Sequence, residues 1–168
     1  MKQFIMSVIV IIVCFLLQST VFQALSIAGV VPNLLLIVTV AAGYMHGRTN
    51  GIYVGLACGL LVDICYGDII GLFGLMYMCI GYLNGYAHKI YFRDDYTMPI
   101  ILVSLSDFLY GFFYYVFLFL LRNRLNFFFY LKRIILPELI YTVVVSIVLY
   151  KILHILNVKL ERSAYKEV

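Results

Sequence analysis

Charge is what this chain has least of. Only 12% of its 168 residues are Asp, Glu, Lys or Arg, about half of the roughly 25% usual in soluble domains. Hydrophobic residues make up 65%, and the mean hydropathy is +1.05. Water is therefore not its sole solvent, and the composition is that of an integral membrane protein. Catalytic signatures are missing too: there is no G-x-S-x-G elbow, no H-E-x-x-H pair and no Walker loop. The four cysteines, Cys14, Cys58, Cys65 and Cys79, lie within apolar stretches with no C-x-x-C or Cys/His spacing. That pattern argues for packing residues over metal ligands, and no cofactor is expected. The three histidines, His46, His88 and His154, stand singly near predicted helix ends, where an interfacial role is the plainer reading. With spans of about 20 residues each, five or six helices use up the chain and leave no stretch for a soluble catalytic domain.

What is present is a glycine track. Gly43, Gly47, Gly51, Gly55 and Gly59 fall at four-residue spacing, with Asp63 one step further. Glycine inside a helix costs about 1 kcal/mol relative to alanine, but in lipid it lets two backbones touch. The Arg48-Thr49-Asn50 break separates two helices, so Gly51, Gly55 and Gly59 share a face of the second. We expect that face to pack against the preceding segment. Gly81 and Gly85 form a second small-residue pair.

Six spans are predicted within a single membrane domain, 1–168: about 4–25, 32–47, 51–66, 69–90, 97–121 and 134–156. Pro32-Asn33 reads as a helix start, with asparagine as cap. Gly67 reads as a helix stop and Asp68 as the next cap. Pro99 and Pro137 sit in the first turns of segments five and six, and the charged tail after Asn157 is expected to fray. Lys2 and the apolar run Phe4 to Leu17 resemble a secretory signal, with Ser26-Ile27-Ala28 as small residues beyond. The apolar character persists through Val21-Phe22, so an uncleaved anchor is expected.

The net charge of +4 lies beside the apolar segments, which favours topology and headgroup contact over nucleic acid. An inside N-terminus places Lys2, Arg48, Lys89, Arg93, Lys159, Arg162 and Lys166 on the same side. The region 122–133 opposes this, carrying Arg122, Arg124, Lys132 and Arg133 on the outside. It also holds Phe127-Phe128-Phe129-Tyr130, so it reads as an interfacial segment on the outer surface. Both termini are then cytoplasmic.

Three carboxylates fall in or beside spans: Asp63, Asp107 and Glu138. Ionisable groups there are functional candidates by default. Each also has a structural reading. Asp63 lies near the outer end of its segment and can reach headgroups. Glu138 follows Pro137 in a first turn, where a carboxylate complements the helix dipole. Asp107 is the deepest, with no cation at matching depth other than Lys151.

The assembled residues resemble the rod shape-determining protein MreD family. The resemblance rests on Leu17-Gln18-Ser19-Thr20-Val21-Phe22, on Pro32-Asn33-Leu34-Leu35-Leu36-Ile37, and on the stretch Gly51 to Asp63. Gly71-Leu72-Phe73-Gly74-Leu75 and Gly81-Tyr82-Leu83-Asn84-Gly85 extend it. It covers about residues 1 to 160 and is most specific from Gln18 to Gly85. It implies a non-catalytic scaffold subunit of the bacterial cell-elongation complex, multi-pass in the cytoplasmic membrane. The implied partner is an MreC-like single-span protein, which links it indirectly to MreB-type filaments and to peptidoglycan-synthesis enzymes. The implied fold is an all-α bundle of six transmembrane helices, similar to the vitamin-binding subunits of energy-coupling-factor transporters. That similarity supplies an alternative function, a small-molecule-binding subunit of an uptake transporter. Such subunits engage their transporter through paired alanines on the first helix. Here Ala24 and Ala28 have the spacing but lie at the outer end. A lone channel or flippase needs a polar line through the bundle, and three carboxylates are too few to make one.

Overall fold

The computed structural model describes residues 2–26, 29–67, 71–90, 97–117 and 127–165. Every element among them is helical, with no strand. Helix α1, Lys2–Ser19, continues after Thr20 into one further turn, Val21–Ala24. Then follow α2 (Leu34–His46), α3 (Arg48–Tyr66), α4 (Leu72–Tyr86) with a 3-10 turn at Ala87–Ile90, and α5 (Thr97–Tyr115). The last helix, α6 (Leu136–Tyr165), is entered through a helical turn at Phe127–Tyr130 and a π-helical turn at Leu131–Ile135. Four stretches are long and apolar enough to cross a membrane: Ile5–Ala24, Arg48–Tyr66, Thr97–Tyr115 and Leu131–Lys159. Helices α2 and α4 are shorter, at 13 and 15 residues.

Several boundaries differ from the sequence expectation. The break between α2 and α3 falls on Gly47, whose φ of +86° favours glycine. Arg48-Thr49-Asn50 is instead the first turn of α3. The last helix continues past Asn157 to Tyr165, and its helical lead-in starts at Phe127, not near Ile134. The predicted cap Asp68 lies outside the described residues.

Helix α2 is apolar on all sides, which suits burial among other helices. Eleven of its residues are buried, among them Leu34, Leu35, Leu36 and Ile37. It is the axis around which the others pack. Helix α1 is the opposite case. Only 11% of its span is buried, and Ile5, Ile9, Ile12 and Leu16 are exposed, as lipid-facing side chains are.

Among the described residues the closest crossing joins α3 to α4, and the preceding helix α2 meets the same face as expected at two of the three glycines: a methyl on Gly51 would lie 2.9 Å from the Gly43 Cα and one on Gly55 3.1 Å from Thr39 Cγ2. A methyl group added to Gly59 would sit 2.6 Å from the Gly74 Cα, and one on Gly55 would sit 2.9 Å from the Tyr77 carbonyl carbon. Gly51 and Gly81 meet backbone to backbone, and Gly85 meets the Arg48 Cα. Helix α2 touches the same seam at its edge: a methyl on Gly43 would lie 2.8 Å from the Gly81 carbonyl oxygen.

Candidate functional site

Asn33 caps α2, its side-chain Oδ1 accepting from the Leu36 N–H at 3.1 Å, as asparagine does at a helix start. The same oxygen accepts the Tyr77 hydroxyl of α4 at 2.7 Å. The Asn33 backbone N–H donates to Thr142 Oγ1 of α6 at 3.2 Å, and the Thr142 side chain lies beside the Asp107 carboxylate of α5. One buried relay thus ties three helices together: α4 through Tyr77, α2 through Asn33 and α6 through Thr142. Gln18 of α1 adds a fourth by accepting from the Leu35 N–H at 3.2 Å. Hydrogen bonds between membrane helices average about 0.6 kcal/mol and reach about 1.7. The relay fixes register more than it adds stability.

Asp107 is 3% exposed, and its Oδ1 has no hydrogen-bond partner among the described residues. Glu138, half-buried on α6, is its like-charged neighbour. The structure therefore brings two of the three predicted carboxylates together. It leaves the third apart. Asp63, 1% exposed, accepts the Phe73 N–H at 3.0 Å and the Gly74 N–H at 2.7 Å. Both are unpaired donors of the first turn of α4, and a carboxylate also complements the positive end of that helix. Asp63 is the capping group of α4, supplied from the end of α3. Among the described residues no three His, Cys, Asp or Glu side chains gather as metal ligands. The carboxylate pair is bordered by phenols and a hydroxyl, so its available chemistry is hydrogen bonding and proton exchange.

Aromatic rings close one side of this polar centre. Tyr77 meets Tyr110 edge-on at 5.5 Å, and Phe73 stacks on Tyr114 at 5.8 Å. Tyr130 is buried against Tyr114 and Tyr115, so this member of the aromatic run packs into the bundle. Lys132 and Arg133 are exposed on the π-helical turn, with the Arg133 guanidinium 5.4 Å from the Phe129 ring. Arg122 and Arg124 lie outside the described residues.

Sequence reasoning placed the histidines at one end of the bundle without their partners. There His46 Nε2 pairs with Asn157 Oδ1 at 2.9 Å, His88 Nδ1 with the Tyr44 carbonyl at 2.8 Å, and His154 stacks on Tyr150. Thr142 and Tyr77 were missed as members of the relay. A threonine in an apolar helix carries no sequence signal, since its hydroxyl can be satisfied by its own helix.

Comparison with known proteins bears on the whole chain. The family model described as rod shape-determining protein MreD matches residues 1–160. No curated protein and no solved structure matches. The match covers every helix that builds the relay and the glycine crossing, and the apolar helices fit its membrane setting. The chain belongs to the MreD family of rod shape-determining membrane proteins.

Proposed function

We propose that this chain is a non-catalytic scaffold of the cell-elongation machinery. It holds an MreC-type single-span partner in the cytoplasmic membrane and so helps to position lateral peptidoglycan synthesis. Family membership over residues 1–160 carries this reading. It is supported by the use of the buried polar groups: Asn33 and Asp63 cap helices, and Thr142 and Tyr77 link them. A bundle organised in this way holds a shape.

The proposed topology has six spans in an arrangement similar to the energy-coupling-factor subunits. At about 1.5 Å per residue, α2 and α4 reach roughly 20 and 22 Å, short of the about 30 Å hydrocarbon core. Burial among longer helices makes this tolerable for α2, and the 3-10 turn at Ala87–Ile90 lengthens α4. The other basic residues favour cytoplasmic termini, and the aromatic run 127–130 favours an outer interfacial position for Arg122, Arg124, Lys132 and Arg133 against that rule. A cysteine introduced at Asn126 should then react with an impermeant thiol reagent in intact cells. Labelling only after lysis would refute six spans.

The scaffold reading is tested by depleting the chain in a rod-shaped host, which should round the cells and scatter wall synthesis. Asp107→Asn with Glu138→Gln should affect growth only as far as it lowers protein level or complex assembly. A double variant that assembles with its partner yet fails to support rod growth would make the carboxylates agents of transport or catalysis. A vitamin-like molecule that co-purifies in stoichiometric amount would favour the uptake-subunit reading instead.

A further inference from the structure

A cleft of about 610 Å³ lies between α1, α2, α3 and α6, at the end of the bundle where α2 finishes and α3 begins. Its volume is that of an ordinary ligand site, about 300–1,000 Å³. Its polarity runs in one direction. Ile11, Val38, Ala42 and Ala57 line the deep part, while His46, Asn50 and Asn157 gather at the helix ends. The polar groups are held in place: His46 pairs with Asn157, and Asn50 Nδ2 donates to the His46 carbonyl at 3.3 Å. From Asn50 to Ala57 is seven residues and from His46 to Val38 eight, or about 10 and 12 Å along their helices. That depth is most of one leaflet, whose hydrocarbon is half of about 30 Å. The rim is lipid-facing, with Tyr53 66% and Val8 39% exposed.

We propose that this cleft binds one acyl chain of a membrane phospholipid, with the phosphate at His46, Asn50 and Asn157. An apolar slot open at hydrocarbon level has lipid as its solvent, and a fixed polar trio at headgroup level selects an occupant with a tail and a polar head. The site is separate from the carboxylate pair and does not depend on the scaffold reading.

The test uses the full chain in mild detergent, with native mass spectrometry and added palmitoyl-oleoyl phosphatidylglycerol as the probe. Wild-type protein should keep one lipid under activation that strips the rest. Ala57 is exposed to the cleft, so Ala57→Phe fills it without crowding the core and should lose that lipid at an unchanged melting temperature. Ile64→Phe, at a site 73% exposed and outside the cleft, should keep it. Should Ala57→Phe fail to fold, Ala42→Phe blocks the slot from α2. Equal retention in the cleft-filling and control variants would overturn the proposal. So would a photoreactive residue at position 57 that couples in native membranes to a protein and not to lipid.

Discussion

Replacing Gly81 by alanine adds one methyl group to α4, and two opposing effects can be weighed. Alanine improves helix propensity by about 1 kcal/mol. Against this, the new Cβ overlaps the Gly51 carbonyl and lies 2.6 Å from its carbon. The obstacle is backbone, so it cannot turn aside as a side chain can. The helices must separate, and the crossing is continuous: the Gly55–Tyr77 and Gly59–Gly74 approaches open with it. Overpacking costs typically about 1–3 kcal/mol, and loosened packing at all three of these approaches puts this case at the upper end. We expect a net destabilisation of about 2 kcal/mol after the propensity gain. Gly111→Ala is the matched control. The atoms nearest its methyl are side-chain atoms of Ile135, the closest at 3.1 Å, which need give by only a few tenths of an ångström. Propensity then offsets crowding, and its stability should stay within about 1 kcal/mol of wild type. Unfolding of purified protein in micelles, titrated with a denaturing detergent and followed by far-ultraviolet circular dichroism, measures both. Wild-type stability in Gly81→Ala, or an equal loss in both variants, would refute the close crossing as the organising contact.

Two other substitutions probe the polar interior with the same assay. Asp63→Ala leaves the Phe73 and Gly74 N–H groups unpaired in a buried site and should cost about 1–3 kcal/mol. Asp63→Asn keeps one acceptor and should recover part of that loss, whereas equal losses would mean the cap contributes nothing specific. Thr142→Val conserves shape but removes the hydroxyl that accepts the Asn33 N–H, with an expected loss of roughly 1–3 kcal/mol. An unchanged midpoint would show that the relay does not couple α2 and α6.

How much of this was legible in sequence depended on whether a signal was local. The glycine track could be read because a missing side chain every fourth residue has few other uses in lipid. Its partners could be read only in part: α2 was expected and meets Gly51 and Gly55, while α4 was not. Spacing identifies a face and says nothing about which helix meets it, and here Gly43 of α2 and Gly81 of α4 converge on the same seam. The shortness of α2 was visible, and so was Asn33 as its cap. Its central position was not, since an all-apolar stretch looks the same whether lipid or protein surrounds it. Hydropathy marked the final helix, while its aromatic and basic lead-in pointed to a surface segment. In the structure Tyr130 packs on Tyr114 and Tyr115 of α5, and the helix starts earlier.

The carboxylates show the same division most clearly. All three were found, because an ionisable group in an apolar segment is conspicuous at any position. Sorting them required tertiary structure. Asp63 faces two amide donors ten and eleven residues onward, and the chain reverses between them, so no helical periodicity links the cap to its helix. Asp107 and Glu138 are 31 positions apart and meet only because α5 and α6 pack beside the same end of α2. Thr142, one turn beyond Glu138, links α6 to Asn33 beside them. Asp63 has both oxygens engaged by backbone, so a substitution there should be read in stability. Asp107 keeps a buried Oδ1 without a hydrogen-bond partner among the described residues. If any carboxylate in this bundle affects rod growth separately from protein level, the physical candidate is Asp107, with Glu138 as its neighbour.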